Sequence, residues 1–138
     1  MMQARLRSIV AILLALVLAP FAHASGAADE YALKAAFLYN FTRFVDWPPE
    51  AFPSGDGAFR ICVFGTDPFG ARLDALARRR VGTRPIEIAR PSALADLPRC
   101  QIAYLGVGTP EAIEAAATAN AAPATLTVAS NAAFAREG

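Results

Sequence analysis

Hydrophobic and polar positions divide this chain into two unlike parts. Residues 9–19 are an unbroken apolar run, with Arg5 and Arg7 before it and Ala22-His23-Ala24 after it. Beyond that run the apolar residues recur with a period. From Asp29 to Trp47 the period is helical, and Pro48-Pro49 stops it. Leu33, Phe37, Phe41 and Phe44 keep one helical stripe and are expected to face a sheet. Tyr39, Arg43 and Trp47, spaced i, i+4 and i+8, share another strip. After a Pro- and Gly-bearing loop, Glu50 to Ala58, strands and helices alternate. Strands are predicted at Phe59–Phe64, Ile86–Ala89, Gln101–Leu105 and Ala124–Val128. The first intervening helix is capped by Asp67, takes Pro68 at its first position, reaches about Arg80 and is ended by Gly82. Ser92–Leu97 is a helical turn. A further helix starts with the same device at Thr109-Pro110, carries Glu111 and Glu114 in its first turn and reaches about Asn120. Asn131–Arg136 begins one more helical piece.

Strands alternating with helices require crossovers, which make the sheet mostly parallel. Right-handed connections leave few topologies. The expected fold is α/β: a three-layer, flavodoxin-like or Rossmann-like arrangement with the long aromatic N-terminal helix packed across it. Four strands make a thin sheet for this fold, and Glu137-Gly138 reads as a helix exit. A domain incomplete at its C-terminus is therefore expected.

The N-terminal part has a different purpose. A charged stretch, a short apolar run and a small-x-small site, in that order, form a secretory signal peptide. The apolar run is well short of the ~20 residues that span hydrocarbon. Residues 1–24 are read as signal, with cleavage after Ala24, and residues 25–138 as one domain exported to the periplasm. Without Arg5 and Arg7, eleven of the 13 basic residues face 12 acidic ones, a net charge of about −1. No basic stripe is present, which argues against a nucleic-acid partner. The cluster Arg78-Arg79-Arg80 is read as a solvated helix end.

Export bears on the two cysteines, Cys62 and Cys100. In an oxidising compartment they are expected to bridge adjacent strands, worth about 4 kcal/mol in the chain-entropy account; the alternative is two buried thiols. Neither lies in a Cys-x-x-Cys spacing. The segment after the signal contains no histidine, which removes Ser-His-Asp chemistry and, with only two cysteines, a zinc site. Gly65-Thr66-Asp67-Pro68-Phe69-Gly70 opens a helix after a strand, where phosphates bind. Asp67 would repel an anion there, so the segment is read as a structural turn. No catalytic residue, metal site or cofactor is expected.

The segment Glu30–Pro48 resembles the opening of the YfiR family of periplasmic regulators. Arg60–Gly70, the turn Arg80-Val81-Gly82, Cys100 before an apolar strand ending in Gly106, and Leu126–Gly138 are similar to other stretches of that family. The resemblance implies an α/β periplasmic protein without enzymatic activity. It implies repression of a membrane-bound diguanylate cyclase, through that enzyme's periplasmic domain, in cyclic-di-GMP signalling. It also places Cys62 and Cys100 at the family's first disulfide. Family members continue past the final glycine. Tyr39, Arg43 and Trp47 are the candidate partner contacts, because Tyr, Trp and Arg are enriched at interface hot spots. A second copy of the chain is a further option for the partner. The other function class considered is a periplasmic small-ligand sensor that uses the strand C-termini as its pocket.

Overall fold

The computed structural model describes residues 26–52, 57–106, 108–119, 121 and 124–130. The expected signal peptide and the helical piece at Asn131–Arg136 lie outside the described residues. Among the described residues no helix is long and apolar enough to cross a membrane.

Helix α1 spans Gly26–Phe44 and ends before Pro48-Pro49, earlier than the sequence suggests. The two prolines lack N–H groups, and a residue before proline is driven out of helical geometry. A 3-10 turn, Pro49–Ala51, follows. Strand β1 is Phe59–Gly65. Helix α2, Ala71–Asp74, runs on as a 3-10 stretch, Ala75–Arg78. Strands β2 (Arg80–Val81) and β3 (Arg84–Ala89) come next, then a 3-10 segment, Leu94–Arg99. Strand β4 is Ile102–Gly106, helix α3 is Pro110–Ala119 and strand β5 is Leu126–Ala129.

The strands lie in the order β2-β3-β1-β4-β5. All pairings are parallel except β2 with β3, and the register sets Ile61 beside both Ile88 and Ile102. Apart from short β2, this is the doubly wound order expected. Strand β2 was not expected. Arg80 and Val81 pair with Pro85 and Arg84 in a hairpin, so Gly82 occupies a hairpin turn rather than a helix end. Its φ of 60° is the left-handed geometry such a turn needs. Asp67 also departs from expectation. Its carboxylate accepts the N–H groups of Phe69 (2.7 Å) and Gly70 (3.2 Å), but the helix starts four residues later, at Ala71. The same device at α3 is as expected: the Thr109 hydroxyl accepts the Ala112 N–H at 3.2 Å.

Alternation along the strands separates two cores. One face presents Phe59, Ile61, Val63, Ile86, Ile102 and Tyr104, covered by α1 and by Phe69, Leu73 and Leu76. The other presents Cys62, Ala103 and Leu105, covered by Leu97 and by Ile113 and Ala116 of α3. Where β1 and β4 end side by side, the Thr66 N–H donates to the Gly106 carbonyl at 2.9 Å. A Cβ on Gly106 would stand 1.8 Å from the Thr66 oxygen, so only glycine lets the two turns meet.

Candidate interaction surface

Helix α1 turns Ala35, Leu38 and Thr42 to the sheet, all nearly inaccessible. The opposite side carries Leu33, Phe37 and Phe44, which are 59%, 51% and 80% exposed. This corrects the expectation that these three face the sheet; of that stripe, Phe41 alone packs partly on the core. The physical reason is volume. Phe59, Phe69 and Tyr104 rise from below and fill the space between the layers, so the helix approaches on its small residue, Ala35. At 100° per residue the buried and outward stripes lie on opposite sides of the helix. Both stripes have helical spacing, so periodicity alone did not separate them. The clue in the sequence was residue size, with Ala35 and Thr42 on the buried side.

The strip Tyr39, Arg43 and Trp47 divides in the fold. Arg43 is exposed. It makes no ion pair among the described residues. Tyr39 is half-buried, with the Arg79 guanidinium 4.9 Å from its ring centre. Trp47 is half-buried, set edge-on to Phe59 at 5.1 Å, with its indole N–H donating to the Thr42 carbonyl at 3.3 Å. Two members of the strip therefore already serve the domain itself.

Between α1 and the edge strand β5 runs an apolar groove of about 410 Å³, lined by Phe37, Phe41, Phe69, Tyr104 and Val128 with Lys34 at its rim. Lys34 is held by Glu30 at 2.5 Å, one helical turn back. The Tyr104 hydroxyl donates to the Ser130 hydroxyl at 3.0 Å.

At the C-termini of β1 and β3, part of the pocket of the ligand-sensor reading, the space is taken by an ion-paired cluster. Arg90 pairs with Asp67 at 2.7 Å and with Asp74 at 2.8 Å. Burial pushes the Asp67 carboxyl up, but the Phe69 N–H, the Arg90 guanidinium and the Gly70 N–H together hold it below the usual carboxylate range. An anion arriving at Arg90 meets two carboxylates there, so the segment works as a structural turn. On the other face, Cys62 and Cys100 form a disulfide with Cα atoms 5.9 Å apart, the pairing expected from the sequence. Both sulfurs belong to buried residues, so the bridge is structural rather than reactive.

A profile of the family described as YfiR/HmsC-like matches residues 31–138. No curated protein matches the chain.

Proposed function

The chain belongs to the YfiR/HmsC-like family, and from that premise we propose that it is a periplasmic, non-enzymatic regulator. It is exported by residues 1–24, cleaved after Ala24, and binds the periplasmic domain of a membrane-bound diguanylate cyclase, keeping that enzyme repressed. The observation that carries this reading is the family match over residues 31–138. The outward side of α1 supports it, because large apolar side chains left in water on a small domain mark a binding surface. Within the Tyr39, Arg43 and Trp47 strip, Arg43 is the residue exposed to a partner, and Tyr39 and Trp47 are half-buried against the domain.

Binding of the full chain to the periplasmic domain of a membrane cyclase, measured by calorimetry, tests the reading directly. Loss of the gene should raise cyclic-di-GMP in the same cells. An unchanged level, with no binding to any such domain, would end the proposal. The intact mass of the periplasmic product should begin at Ser25.

A second reading, a periplasmic small-ligand sensor, has one observation in its favour: the apolar groove beside Phe37 and Tyr104 has the volume of a small-molecule site. A thermal-shift screen with periplasmic metabolites separates the two. A rise in melting temperature that is lost on Tyr104→Phe or Phe37→Ser would favour the sensor.

A further inference from the structure

The outward side of α1 has a regular spacing. Leu33, Phe37, Asn40 and Phe44 follow one another at intervals of four, three and four residues. That interval is the seam by which one helix receives another. Leu33, Phe37 and Phe44 are exposed along it, and Asn40 is half-buried.

The two flanks of the seam differ in charge. On one side stands Lys34, already neutralised by Glu30. On the other stands Arg43, and beyond it Arg79 over the Tyr39 ring, continuous in sequence with Arg78 and Arg80. All four arginines are exposed. None makes an ion pair among the described residues. An apolar seam with an uncompensated cationic bank on one side selects its occupant by charge.

We infer that the Leu33–Phe37–Phe44 seam of α1, with Arg43 and Arg79 along its flank, receives an acidic amphipathic helix of the partner protein. The partner helix lays leucine-like residues at 3–4 spacing on the seam and carries Glu or Asp on the side that faces the arginines. This deepens the regulator reading and rests on it for the identity of the partner. A second copy of the chain fits less well. Antiparallel pairing about a two-fold axis sets each flank of the seam against its own copy, so the Arg43 and Arg79 flank meets the same arginines, like charge against like. An anionic membrane surface fits less well too, because it favours cations on both flanks, and one flank here is neutral.

The test uses the full chain and two designed helical peptides with the same leucine seam, one with Glu and one with Lys on the flank. Fluorescence anisotropy should give at least about tenfold tighter binding of the Glu peptide, weakening as salt rises. Leu33→Ser with Phe44→Ser should lower that affinity at least about tenfold. Both positions are exposed, so the fold should persist, and circular dichroism checks that it does. Arg43→Glu with Arg79→Glu should reverse the preference to the Lys peptide. Equal binding of both peptides overturns the inference. So does tighter binding to phosphatidylglycerol vesicles than to the Glu peptide, or a concentration-dependent dimer abolished by the serine pair. The cyclase periplasmic domain then separates this inference from the reading beneath it. If that domain binds the serine pair as well as the natural chain, the seam is wrong and the regulator reading stands. If the Glu peptide binds as expected and no cyclase domain does, the seam stands and the regulator reading falls.

Discussion

The two faces of the sheet are held in different ways. Under α1 the contact is broad and aromatic: Phe69 meets Tyr104 at 4.7 Å, Trp47 meets Phe59 at 5.1 Å, and Tyr31 meets Phe69 at 5.7 Å, all edge-on. On the opposite face the strands offer small residues, Cys62 and Ala103, and among the described residues the cover is a ten-residue helix and a 3-10 segment. Less apolar area is available there. The disulfide compensates by fastening the 3-10 segment to β1. One face is therefore stabilised by burial within the folded state. The other relies in part on a restriction of the unfolded one.

Perturbing the aromatic face should have the largest effect. Phe59 is fully inaccessible beneath Trp47 and Phe52. Phe59→Ala should cost about 3–5 kcal/mol in chemical denaturation, as large core truncations do. A loss under about 1 kcal/mol would mean that α1 adds little to stability, and the contrast between the faces would fail.

Removing the bridge comes next. Cys62→Ser with Cys100→Ser should cost about 4 kcal/mol for a sequence separation of 38 residues. If reduction and the double serine variant both left the melting temperature unchanged, the thinly covered face would be self-sufficient.

A third test addresses the seam between the layers. Gln101 is buried, accepts the Arg60 backbone N–H at 2.6 Å and donates to the Ala51 carbonyl at 2.5 Å. It ties the connection after α1 to the sheet. Gln101→Leu keeps the bulk and strands both backbone groups, so a loss of about 1–3 kcal/mol is expected from denaturant midpoints. A neutral result would show that the connection holds without this tie.

The smallest effect should come from the turn at Asp67. Its capping bonds and partly exposed ion pair together are worth about 0.5–2 kcal/mol, most of it from the caps. The folded carboxyl sits below its unfolded value of about 4, so this stabilisation is complete above that pH and is lost as pH falls through the lowered value. Asp67→Ala should therefore flatten the acid limb of stability against pH. An unaltered acid limb would assign that dependence to other carboxylates.

Much of this arrangement is legible in the residues alone. Ile61–Gly65 and Ile102–Gly106 are apolar runs ending in glycine, and each lies in a central strand. The cysteine pair was legible because Cys62 lies within the first of those strands and Cys100 just ahead of the second. Strand β2 was not legible: two residues carry no period, and three consecutive arginines suit the end of a helix as well as they suit a hairpin. Nor was the orientation of α1. An aromatic stripe on a helix beside a sheet normally faces inward, and here the interior volume was already taken by Phe59, Phe69 and Tyr104. That displaced stripe is the part of the molecule most relevant to partners. Local pattern did not reveal it, because its outward position depends on side chains from three other elements.

Strand β1 sits between β3 and β4, yet both neighbours follow it along the chain. Its contacts join Phe59 to Ile86 and Ile61 to Ile102. As the polypeptide emerges from its N-terminal end, the middle of the sheet is made first and waits unpaired until the later strands arrive. Long-range parallel pairing of this kind is slow to nucleate. Cys100 lies immediately ahead of β4, and its sulfur meets that of Cys62 once β4 has docked beside β1 with Ile102 against Ile61. Oxidation thereby acts as a ratchet on assembly. It leaves a misaligned strand free to dissociate, and it secures the correct alignment against reversal before β5 joins beside β4.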